Sequence, residues 1–182
     1  MPSAKNTQNV IQHLFPPVDD QALMTTYAIL DAARDDAIYK KIKDEGRQDG
    51  RLYYGVKGQE MADVAPYLIG LKQDDPFTEW VINSGWGNSW GIFLRSSVEQ
   101  RLLMRHFRRF LIVSDENRRR FYFRFYDPRV LRVYLPTCRP KELEIFFGPV
   151  KRYCLESKEG DLMEFRCTKE FKLVKNVLNL QG

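Results

Sequence analysis

Between Phe121 and Leu131 the chain reads FYFRFYDPRVL, and its apolar period changes once, at Asp127-Pro128. Before that dipeptide the residues alternate. Phe121, Phe123 and Phe125 fall on one side of an extended segment, and Tyr122, Arg124 and Tyr126 on the other. After it, Val130, Leu131, Tyr134 and Leu135 recur at helical spacing until Pro136. An aspartate accepts hydrogen bonds from the free amides of a helix start, and proline suits the first helical position. A chain that passes from strand to helix in one step needs a fold in which both share a core.

The rest of the sequence repeats this alternation. Thr25 to Leu30 is rich in strand formers and ends at Asp31; Asp35 to Lys43 offers a helix with Ile38 and Ile42 on one side and Gly46 as its stop. Arg51 to Val56 reads as a short strand, and Met61 to Leu71 as a turn of helix followed by a strand over Tyr67 to Leu71. A second Asp-Pro pair, Asp75-Pro76, opens a helix with Phe77, Trp80 and Val81 as its apolar stripe. Gly85 ends it, Gly85-Trp86-Gly87 makes a tight turn with Trp86 as core, and Trp90 to Arg95 follows as a strand.

Ser96 with Glu99, or Ser97 with Gln100, fits a capping box for the next helix. Its expected apolar stripe is Val98, Leu102, His106 or Phe107, and Phe110, with Arg101, Arg105, Arg108 and Arg109 on another face. Glu142 to Phe147 is a further short helix closed by Gly148-Pro149. Lys151 to Glu156 and Leu162 to Cys167 read as a hairpin, and Phe171 to Leu180 as a strand or a frayed helix. These elements predict an α/β domain: a mixed β-sheet with helices packed on it, plus a C-terminal β-hairpin that extends the sheet or forms a small lobe. The expected organisation is a loose arm over 1–22, one domain over 23–150 and a short extension over 151–182.

The apolar fraction of 43% and aromatic fraction of 13% supply a real core. No apolar run reaches the roughly 20 residues of a membrane span, and the start lacks a secretory apolar stretch, so a cytoplasmic protein is expected. Cys138, Cys154 and Cys167 show no CxxC spacing, and with only His13 and His106 beside them they read as idle thiols rather than a zinc site. No cofactor is implied. Phosphate-loop, dinucleotide, HExxH and GxSxG motifs are all missing. His106 lies on the apolar side of its helix and reads as a core histidine. Asp127 reads as a helix cap, with an ion pair to Arg124 or Arg129 competing with a role in binding. No catalytic residues are nominated, so a protein without enzymatic activity is expected.

Charge is concentrated. Residues 101–139 hold 11 arginines and three carboxylates, whereas residues 1–100 hold 10 basic and 14 acidic side chains. Arginine presents a planar fork that pairs with carboxylate or phosphate and stacks on aromatic rings. The candidate partner-binding residues are therefore Arg101, Arg105, Arg108, Arg109, Tyr122, Arg124, Tyr126 and Arg129, with Asp127, Pro128 and Trp86 as structural positions. The partner is an acidic protein surface or, alternatively, the phosphate backbone of a nucleic acid.

In order along the chain come YAILDAA (Tyr27 to Ala33), APYLIGL (Ala65 to Leu71), Gly85-Trp86-Gly87, HFRRF (His106 to Phe110), FRFYDPRVL (Phe123 to Leu131), Leu135-Pro136 and Phe147-Gly148-Pro149. This series resembles the domain of bacterial type VI secretion effector chaperones, also called Tap or Tec adaptors, over roughly residues 24–150. The resemblance implies a non-enzymatic cytoplasmic adaptor that binds a cognate effector and helps load it onto the VgrG spike protein. Many relatives carry a long variable region after the shared domain. Here about 33 residues follow Pro149; if that variable region selects the effector in the relatives, a smaller or different surface is expected to do so here.

Overall fold

A computed structural model describes residues 4–16 and 24–180. Six strands form one sheet in the order β2-β1-β3-β6-β7-β8: β1 Thr25–Asp31, β2 Pro66–Leu71, β3 Gly91–Ser96, β6 Val150–Glu156, β7 Leu162–Cys167 and β8 Leu173–Leu178. A separate two-stranded ribbon pairs β4 Ile112–Ser114 with β5 Arg120–Tyr122.

The α/β architecture is as the sequence predicts, and the C-terminal hairpin extends the main sheet. The strand directions differ from the expected mixture: every pairing is antiparallel. The β1-to-β2 excursion returns with Thr26 opposite Leu71 and Asp31 opposite Pro66. The segments between β1 and β2 and between β3 and β6 are therefore helical insertions between antiparallel neighbours, whereas the helix between β2 and β3 crosses over β1, which lies between those two strands.

Register sorts the strand residues onto two faces. Ala28, Ile69, Phe93 and Cys154 are in register across one face and belong to one cluster of buried residues. Helices α1 Ala4–Leu14, α2 Asp36–Asp44 and α4 Pro76–Gly85 cover it through Val10, Leu14, Ile38, Ile42, Phe77, Val81 and Ile82. Ile29, Leu68, Ile92, Leu94, Tyr153 and Phe165 line the other face. It is covered by α5 Gln100–Arg108, α6 Pro128–Tyr134 and α7 Pro140–Phe147, through Leu103, Phe107, Leu131, Leu143 and Phe146. Phe107, Phe125, Phe146 and Tyr153 make an aromatic centre there, with Phe107 stacked on Phe125 at 5.5 Å and Phe146 edge-on to Phe125 at 5.9 Å. Truncating such a ring to alanine costs about 3–5 kcal/mol.

Several local expectations are corrected. The segment expected as a loose arm contains α1, whose buried Val10 and Leu14 recur at i and i+4 and pack beside α4; residues 1–3 and 17–22 of that segment lie outside the described residues. Arg51 to Val56 forms only a single bridge, Arg51 to Tyr67, before α3 Gly55–Glu60 begins. The Arg51 and Leu52 carbonyls that a longer strand would use are taken by Arg108. No capping box opens α5, because the helix begins only at Gln100 with Glu99 at its N-cap; the Ser96 hydroxyl accepts the Val98 amide at 3.3 Å and donates to the Pro149 carbonyl at 2.8 Å, tying β3 to the start of β6. The buried stripe of α5 is Leu103, Met104, His106 and Phe107, so Leu102 is exposed.

The alternation from Phe121 to Tyr126 also stops early. The strand ends at Tyr122, the Asp127 amide donates to the Arg124 carbonyl in a turn, and Phe125 and Tyr126 are buried consecutively. Phe121 is exposed rather than core. Stacking of Phe125 within the aromatic centre overrides the local period-two pattern. The last segment resolves as β8, at one edge of the main sheet. Its Val174, Val177 and Leu178 are exposed, and Lys175 stands among them.

Candidate protein-binding surface

Two distant motifs meet at the C-terminal end of β1. Asp31 is 1% exposed, accepts the Ala33 amide at 3.2 Å and forms an ion pair with Arg124. A few residues on, Asp127 accepts the Arg129 amide at 2.9 Å as the cap of α6, and the Arg129 guanidinium returns to it at 2.6 Å. Burial opposes ionisation of Asp127, but the hydrogen bonds from Arg129 outweigh it and hold the carboxyl below its usual range. Both guanidiniums reach solvent while both carboxylates lie beneath them. Pro128 is buried at the helix start. The Tyr126 hydroxyl is 3.5 Å from that of Tyr53, and burial pushes its pKa well above the ordinary phenol value.

The Gly-Trp-Gly turn is fixed in a similar way. Trp86 is buried, stacks on Phe93 at 6.0 Å and donates its indole N–H to the Gly160 carbonyl at 2.8 Å. Gly87 sits at φ +87°, which a residue with a Cβ rarely adopts. The carboxylate of Glu156, at the end of β6, accepts the Gly87 amide at 2.6 Å and both the amide and hydroxyl of Ser89 at 3.0 Å. Burial pushes the Glu156 carboxyl up despite these bonds.

On α5, His106 is buried as the sequence predicts. A guanidinium can only donate, so the Arg109 contact at 2.8 Å makes Nδ1 the acceptor. Nε2 then carries the proton and donates to the Phe146 carbonyl at 2.9 Å. Burial, with Arg109 beside it, lowers the imidazole to about 4, so it stays neutral and joins α5 to α7. Arg108 donates to the Leu52 and Arg51 carbonyls at 2.9 and 3.0 Å and lies 5.4 Å over the Tyr54 ring. Arg101 and Arg105 stay exposed.

A groove of about 330 Å³ runs between α3, the end of α5 and the β4–β5 ribbon. Tyr53, Tyr54, Met61, Leu111, Ile112 and Tyr122 line it, with Arg108 and Arg120. Tyr54 is 73% exposed and Tyr122 is 64% exposed, an unusual amount of aromatic surface.

Among the described residues, one group of donors is close enough to hold a metal: His13, Cys154 and Glu164. Its chemistry points elsewhere. Glu164 accepts from His13 and Arg152 at 2.8 Å and from Arg166 at 2.7 Å, so two guanidiniums already neutralise it. Burial pushes the Cys154 thiol up to about 12, far from the thiolate a metal needs. Arg152 also donates to the His13 carbonyl at 2.6 Å, so the cluster fastens the end of α1 to the sheet.

Of the sequence-predicted binding residues, Arg101, Arg105 and Tyr122 remain on the surface without a hydrogen bond to the body of the domain. Arg108, Arg109, Arg124 and Arg129 are engaged within the chain. Tyr126, expected beside Tyr122 on an outer face, is buried because the turn at Phe125 rotates it inward. Asp31, Glu156 and the groove residues Tyr53, Tyr54 and Ile112 were not singled out from sequence. Only Asp31 carried a signal, as the sole charge in YAILDAA.

The arrangement defines an α/β domain whose signature residues serve largely as internal ties. The chain belongs to the family described as domain of unknown function (DUF4123), whose model matches residues 26–144. No curated protein and no solved structure matches it. No helix among the described residues is long and apolar enough to cross a membrane.

Proposed function

We propose that this chain is a cytoplasmic, non-enzymatic chaperone and adaptor that binds a cognate type VI secretion effector and helps load it onto the VgrG spike. The motifs that resemble type VI adaptors run mostly inside the family match at 26–144. The observation that carries the reading is the surface those motifs leave open: exposed tyrosines and arginines around a groove, a combination enriched where proteins bind proteins. The remaining signature residues support the frame beneath it. The test is affinity purification of the tagged full chain from its native bacterium. An effector and VgrG should co-purify, and the Arg101→Glu/Arg105→Glu double variant should retain less of one of them. Recovery of neither from the wild-type chain would remove the reading.

Nucleic-acid binding draws on the same 11 arginines of residues 101–139. Its weakness is that Arg108, Arg109, Arg124 and Arg129 already hold carbonyls, a histidine or carboxylates of this chain. A gel shift at low salt that fades as salt rises would favour it.

A further inference from the structure

We infer that the groove between α3, the end of α5 and the β4–β5 ribbon receives an acidic peptide segment of the partner, with an apolar side chain seated between Tyr54 and Tyr122 and carboxylates on Arg105 and Arg120. This deepens the protein-binding reading above and rests on it.

Charge complementarity selects the occupant. From Arg101 to Arg120 there are seven arginines and two carboxylates, Asp115 and Glu116. Asp115 is already bound to Arg119 at 2.7 Å. Arg105, Arg118 and Arg120 have no ion-pair partner among the described residues, and all three are exposed. Arg120 lines the groove, and Arg105 lies one helical turn before Arg108, which also lines it. The carboxylates that would balance these arginines have to come from outside.

The walls rule out a ligand that is only charged. They are aromatic and aliphatic, and Tyr53 and Tyr122 meet at 6.1 Å as a tilted pair. A bare phosphate chain would leave that surface uncovered. A purely apolar helix would bury guanidiniums without a counter-charge, which is costly. A segment with both features satisfies both halves. The paired Ile112 and Tyr122 give the ribbon's groove face an aliphatic and an aromatic side chain. Arg108 is held in place by its two carbonyls, so that side of the groove is formed before a ligand arrives.

The experiment uses the full chain in its native bacterium. Tyr54→p-benzoylphenylalanine and Tyr122→p-benzoylphenylalanine are made separately, irradiated, and the cross-linked peptides sequenced. Both positions should capture the same segment of one partner, an apolar stretch flanked by Asp or Glu. A synthetic copy of that segment should bind the purified full chain. Arg120→Glu should weaken it about tenfold, which is ~1.4 kcal/mol, and a copy with lysine in place of its acidic residues should recover affinity for that variant. Tyr54, Tyr122 and Arg120 are exposed, so circular dichroism should show each variant folded. If wild type co-purifies with a partner but the Tyr54→Ala/Tyr122→Ala/Arg120→Glu triple variant holds it equally well, the groove assignment is overturned and the protein-binding reading survives. Cross-links to nucleic acid, to a second copy of this chain, or to segments without acidic residues also overturn it. No co-purifying partner at all removes both.

Discussion

Replacing Asp127 separates two roles that its position combines. The side chain caps α6 through the Arg129 amide and pairs with the Arg129 guanidinium. Asp127→Ala removes both. Loss of an N-cap costs about 1 kcal/mol. The ion pair adds no more than ~1 kcal/mol, because Arg129 is 46% exposed and water screens it. The total of ~2 kcal/mol should lower the thermal midpoint by about 4–8 °C for a chain of this size. Asp127→Asn keeps an acceptor for the amide and gives up the charge, so about half the loss should return. The difference also depends on pH. The carboxyl is held below its usual range, so its contribution is present above the unfolded carboxylate pKa and fades as pH falls through the folded value. Calorimetric melts of the three proteins at neutral and acidic pH would measure this. Equal midpoints for wild type and Asp127→Ala at neutral pH would refute the claim that this motif residue marks the fold.

Glu156→Ala should cost about 2 kcal/mol, since water can replace its bond to exposed Gly87 but not to the buried Ser89 amide; chemical denaturation with tryptophan fluorescence would register it through Trp86. Gly148→Ala should destabilise by about 2–4 kcal/mol, because φ is +46° and a Cβ would stand 2.5 Å from the pinned His106 ring. A midpoint unchanged from wild type would contradict that. His106 should remain neutral in imidazole NMR spectra until the pH approaches about 4. Its folded pKa lies below the unfolded value, so its share of stability is full above the unfolded pKa of about 6.5 and declines as the pH falls toward 4. Stability curves that are flat across that window would argue against the buried, neutral form.

The readable parts of this sequence were those fixed by local chemistry. Both Asp-Pro starts, the stop at Gly46 and the hairpin from Lys151 to Cys167 depend on capping, positive φ and period-two burial, and each is legible within a few residues. The failures came where distant groups decide. Nothing near Arg51 announces that Arg108 will occupy its carbonyl. Nothing in FRFYDPRVL states that Phe125 will leave the alternation to stack on Phe107. The binding surface suffered most. Arginines look alike in sequence, and only the three-dimensional arrangement separates Arg124, committed to Asp31, from Arg105 and Arg120, which remain open.

The outer strand β8 has a consequence for solubility. It ends the sheet with one row of backbone donors and acceptors unpaired by any other described strand, and three apolar side chains beside them. Such a margin invites intermolecular cross-β stacking. In LVKNVL the lysine at position 175 is the only charge, so it is the residue that makes stacking of identical edges repulsive. Lys175→Val would leave six residues without a charge on an open edge, and concentrated protein should then assemble into sheet-rich aggregates while each domain remains folded.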